Sequence, residues 1–154
     1  MLIKNLSNFV AKYLSFLETL LIVSTTVSMY LLYQVVTNSQ YAVWISLGLL
    51  AAVYWLMAMR PFETKVAGIR IAIRRIVYLA YTFGALSIMA ALSFNDEVNA
   101  KPLEIATLAF LGVSVVLLVI KRVKLKEPEK FFEHLIRCFC FAIVITWLLI
   151  MEIF

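Results

Sequence analysis

Glu18 is the residue with the greatest chemical potential in this sequence. It is a carboxylate at the edge of a long uncharged run, and an ionisable group inside such a run marks a proton or ion path, or an ion pair. Arg137 falls at a comparable depth in another apolar run, so Glu18 and Arg137 form a candidate intramembrane polar pair. Glu133 lies one helical turn before Arg137 and competes for the same guanidinium. Two other readings of Glu18 are open. It sits about five residues, or roughly 7–8 Å, into its helix, within reach of lipid headgroups. Alternatively, with the hydroxyls of Ser15, Thr19, Ser24, Thr25, Thr26 and Ser28, it could line a wet path. Hydroxyls in membrane helices usually bond to their own backbone one turn earlier, which favours a packing role for them.

Other chemistries lack their residue types. The one histidine, His134, cannot form a two-histidine zinc helix, and Cys138 and Cys140 have no second cysteine pair with which to build a four-thiolate site. His134 and Cys138 are one turn apart and would hold a metal only if another helix supplied ligands. Both cysteines are expected as free thiols, because side chains two apart point to different faces of a helix. There is no Gly-x-Gly-x-x-Gly and no phosphate-binding Gly-rich loop. Gly48, Gly68, Gly84 and Gly112 are scattered, unlike the glycines of selectivity filters or of interrupted transporter helices. No catalytic, cofactor-binding or metal site is expected, and the chain is expected not to be an enzyme.

Composition identifies the elements that must position these residues. Of 154 residues, 64% are apolar and 15% charged, against roughly 45–50% and about 25% in soluble domains. A span needs about 20 mostly apolar residues, so the chain accommodates about five with little left for loops. That excludes a separate soluble catalytic domain, a nucleic-acid-binding module and a disulfide scaffold.

Between Glu18 and Arg60 lie 41 uncharged residues, about 60 Å as one helix against a hydrocarbon core of about 30 Å. The chain must turn, and Thr37-Asn38-Ser39-Gln40 is the polar cluster at which it can. The expected fold is an all-α polytopic membrane bundle forming one integral membrane domain over 1–154. Its five transmembrane helices are expected at about 13–36, 41–59, 76–95, 103–121 and 135–154. Arg60-Pro61 ends the second span, Asn95-Asp96-Glu97 forms the tip after the third, and Pro102 suits the first turn of the fourth. Val66, Ile69, Ile73 and Ile76 fall on one helical face and Arg70 and Arg74 on another, so about 65–75 reads as a basic interfacial helix running into the third span. Lys65, Arg70, Arg74 and Arg75 are candidate contacts to anionic headgroups.

Basic residues resist translocation and so fix orientation. Thirteen of the 14 lie before the first span, between the second and third, or between the fourth and fifth or at that edge. Lys101 alone falls on the other side, among Asp96, Glu97, Glu104 and Glu152. The amino terminus is therefore expected inside and the carboxyl terminus outside. The first apolar run is longer than a signal sequence and lacks a small-x-small cleavage site, so it is expected to remain attached. The same bias is compatible with a bacterial inner membrane, the expected location.

In the third span Ala80, Gly84, Ser87 and Ala91 make a candidate helix-packing stripe of small residues. Its partner is either another helix of this chain, which has its own interior to fill, or another molecule. The leading functional expectation is a non-enzymatic multi-pass protein acting by helix-mediated interaction with another membrane protein, or by self-association. Such a protein would be an accessory subunit, an assembly factor, or an exclusion or immunity-type component. The alternative is a small channel or transporter, oligomeric or not, that uses Glu18 and the hydroxyls of the first span.

Overall fold

The computed structural model describes residues 2–34, 39–61, 68–92, 100–125 and 131–151. Among them are six helices and no strand: α1 (Leu2–Lys12), α2 (Leu14–Tyr33), α3 (Ser39–Met59), α4 (Gly68–Ala91), α5 (Lys101–Leu125) and α6 (Phe131–Met151). The last five are each long and apolar enough to cross a membrane, which points to an integral membrane protein. In lipid a helix satisfies every interior backbone N–H and C=O within its own segment, which is why the described apolar stretches are helical.

The helices extend beyond the expected spans where charge, not hydrogen bonding, set the expected limit. The basic stretch from Gly68 to Arg75 forms the first two turns of α4, which runs unbroken into the third span. α5 likewise continues past Lys121 to Leu125, and α6 begins at Phe131, before Arg137. Lys65, the tip at 95–97, the loop at 126–130 and most of the first turn lie outside the described residues.

α1 lies before the first expected span. Leu6 and Phe9 are exposed apolar side chains, Asn5, Asn8 and Lys12 are exposed polar ones, and Ser7 and Val10 are buried. This is an amphipathic helix of interfacial type. The chain bends at Tyr13 without losing its ladder, since Tyr13 N–H donates to the Phe9 carbonyl at 3.2 Å and Leu17 N–H to that of Tyr13 at 2.9 Å. The bend brings α1 against α3, where Arg60 Nε donates to Asn8 Oδ1 at 3.2 Å.

α3 and α4 form the centre, with 50% and 56% of their apolar windows buried, against 17% for α2 and 22% for α6. α2 packs on α3, α5 on α4, and α6 on α4 and α5. The arrangement is an open ring. Among the described residues, no α-carbon of α2 comes within 8 Å of one in α6. The start of α2, the end of α3 and the starts of α4 and α6 gather at one end, where the basic residues cluster; it is called the basic end below.

Candidate functional site

The open side of the ring is bridged at the basic end. Glu18, in the second turn of α2, is only 6% exposed. Arg137 in α6 donates to it bidentately, Nε to Oε1 at 2.5 Å and Nη2 to Oε2 at 2.6 Å. Tyr54 of α3 donates its hydroxyl to Oε1 at 2.6 Å. A carboxylate with three donors, two from a planar guanidinium, is held in charge-assisted hydrogen bonds of the strong kind. Glu133 approaches Arg137 Nη1 only to 3.7 Å and is largely exposed, so it is the weaker partner.

Beside the bridge lies a layer of aromatic rings. Tyr54 packs at 5.2 Å from Tyr81 and 6.0 Å from Phe141, and Tyr81 stacks on Phe141 at 5.9 Å and on His134 at 6.0 Å. Tyr81 donates its one hydroxyl hydrogen to the His134 carbonyl at 2.9 Å. Its lone pairs then face His134 Nδ1 at 3.1 Å and the Cys138 thiol at 3.8 Å, an arrangement that is consistent if Nδ1 carries the proton. His134 and Cys138 are thus brought to one hydroxyl. Cys138 is buried and Cys140 exposed, both as free thiols.

From the bridge a slender apolar crevice of about 340 Å³ runs between α2 and α6. Ile22, Thr26 and Met29 form one wall, Ile136, Cys140 and Val144 the other, and Leu47 and Leu50 of α3 lie behind. Its threonines add little polarity, because Thr25 donates to the Leu21 carbonyl at 2.8 Å and Thr26 to that of Ile22 at 2.9 Å. Thr19 does the same toward Ser15 at 2.8 Å. These are the one-turn-back bonds that hydroxyls make in helices surrounded by hydrocarbon.

The small-residue stripe of α4 faces inward. Ala80 and Ser87 are fully buried, Gly84 is buried and Ala91 half-buried. A Cβ on Gly84 would lie 2.8 Å from Cδ1 of Phe141, so the absent side chain is what lets the α6 ring lie against α4. Of the basic residues assigned to headgroups, Lys65 lies outside the described residues, Arg70 and Arg74 are half-buried and Arg75 is exposed. Arg74 Nη2 donates to the Arg60 carbonyl at 2.5 Å, tying α4 to the end of α3.

Tyr54 and Tyr81 were missed at the level of sequence. No protein-family profile, curated protein or solved structure matches this chain.

Proposed function

We propose that this protein is a non-catalytic, multi-pass component of a bacterial inner membrane, with its amino terminus inside and its carboxyl terminus outside. It acts by binding another integral membrane protein helix against helix, as an accessory subunit, assembly factor, or exclusion or immunity-type component. The basic end lies in this reading at the cytoplasmic surface, against anionic headgroups.

The observation that carries the proposal is the outward face of α5. The α4 stripe is consumed inside the bundle, yet Ala106, Ala109 and Gly112 leave a second row of small residues exposed, with nothing within 4 Å of a Cβ placed on Gly112. A shallow apolar groove of about 570 Å³ runs beside them, bounded by Phe83 and Phe110. One turn of a helix about 10 Å across occupies roughly 400 Å³, so the groove admits the flank of a partner helix. Small residues there allow close backbone approach, which is what drives helix association where water cannot. The transport reading draws less support: Glu18 is engaged by Arg137 and Tyr54, and the neighbouring threonine hydroxyls by their own backbone.

A photo-crosslinking residue at Ala109, used in native membranes, tests the proposal. The expected result is one discrete heavier product that disappears when Gly112→Leu is added. Only lipid adducts at Ala109, or Glu18-dependent ion flux by the purified protein in liposomes, would overturn it.

A further inference from the structure

We infer that the crevice between α2 and α6 is a lipid site, taking one acyl chain of a phosphate-bearing bilayer lipid with its headgroup beside Arg137. The site is separate from the α5 face and does not depend on it.

Dimensions select the occupant. The lining residues of α2 run from Glu18 to Met29, about 16 Å of helix. Spread over that length, 340 Å³ gives a mean cross-section of about 20 Å², against about 80 Å² for a helix some 10 Å across. A transmembrane helix does not enter; a single hydrocarbon chain does. The walls repel water, since the threonine hydroxyls are spent on backbone carbonyls and the remaining lining is aliphatic, aromatic or thiol except at the bridge. A void of this size inside an otherwise packed apolar bundle forfeits dispersion contacts along its whole lining. Because α2 and α6 do not pack on one another, the crevice opens sideways into the hydrocarbon that would fill it.

The polar end selects the headgroup. The bridge closes the crevice at the basic end, near the start of α6. Glu18 takes Nε and Nη2 of Arg137, but among the described residues Nη1 meets only Glu133, at 3.7 Å, beyond hydrogen-bonding distance. The Arg137 side chain retains 18% exposure. A lipid phosphate at the interface can accept from Nη1 without disturbing the bridge, and guanidinium N–H to phosphate is a charge-assisted bond.

Between bilayer and crevice an acyl chain gains no hydrophobic transfer energy, so preference comes from packing and from that one bond. A charge-assisted bond is worth about a tenfold difference in occupancy at its lower limit. The test uses the full chain in nanodiscs of phosphatidylglycerol and phosphatidylcholine, doped with a phosphatidylglycerol that carries a diazirine on one acyl chain. Adducts are mapped by mass spectrometry. They are expected to concentrate at Ile22, Thr26, Met29, Cys140 and Val144, above the lipid-facing reference Val116 of α5. Unlabelled phosphatidylglycerol is expected to displace the label, and diacylglycerol, which lacks the phosphate, to do so about tenfold less well. Thr26→Trp and Val144→Trp, at the rim and away from the bridge, are each expected to empty the site while near-ultraviolet circular dichroism verifies folding. Uniform adducts on α2, α5 and α6, equal displacement by diacylglycerol, or labelling unchanged by both tryptophans in folded protein would overturn the inference. So would crosslinking of the same crevice positions to a protein in native membranes.

Discussion

Removing either partner of the Glu18–Arg137 bridge should destabilise the fold by more than its share, and removing both should cost little more than removing one. The two side chains are 8% and 18% exposed. Breaking a buried pair from one side costs about 3–5 kcal/mol, because it strands a charge. The residual exposure of Arg137 and the nearby Glu133 carboxylate place Glu18→Ala at the lower end, about 3 kcal/mol. Arg137→Ala leaves Glu18 with Tyr54 as its remaining described donor and should cost about the same. With both charges gone no ion is stranded, so the double variant should also lose about 3 kcal/mol, a coupling of about 3 kcal/mol. The assay is unfolding by sodium dodecyl sulfate from dodecyl maltoside micelles, followed by circular dichroism. Glu18→Arg combined with Arg137→Glu should recover more folded protein than either change alone. Losses that add to within about 0.5 kcal/mol, together with a charge exchange that recovers nothing, would refute the reasoning.

Three further predictions concern neighbours of the bridge. Tyr54→Phe removes one donor to the carboxylate and should cost about 1.5–3 kcal/mol in the same unfolding assay, as for other hydrogen bonds to charged groups. Gly84→Leu should lose about 1–3 kcal/mol through overpacking against Phe141, whose ring is confined by Tyr54 and Tyr81. Gly84→Ala should cost less, since about 1 kcal/mol of helix propensity offsets the clash, and thermal unfolding of the two variants would show the order. In nanodiscs Cys140, which faces the apolar crevice, and buried Cys138 should both resist a membrane-impermeant maleimide in the folded protein and react only after denaturation, readable by mass spectrometry of the α6 peptide.

Much of the architecture was legible because lipid demands so much of a chain. The uncharged stretches located the long helices, and the equivalent depth of Glu18 and Arg137 in their runs singled out the two residues that lie together in the structure. Element limits were less legible, because charge records where a helix leaves hydrocarbon and not where its hydrogen bonds stop. Arg70 and Arg74 therefore sit inside α4 without ending it. α1 escaped notice because its 11 residues are too few to span and its polar side chains interrupt the apolar run. The α4 stripe was recognisable as a packing surface, but what covers it depends on how α6 approaches α4, a relation between segments far apart in the chain. The inward ring of Phe141 answers it. The crevice had no sequence signature at all, being the space left between two helices that meet at the bridge and whose backbones otherwise stay apart.

The bridge joins the first long helix to the last, residues 119 apart in sequence. For a chain threaded into the bilayer as it leaves the ribosome, Glu18 is in place about 6–24 s before Arg137 is made, at roughly 5–20 residues per second. During that interval the carboxylate lacks its Arg137 partner and the bridge cannot form. A nascent chain that stalls before α6 therefore keeps Tyr54 as the remaining described donor to Glu18, and the side between α2 and α6 stays unbridged.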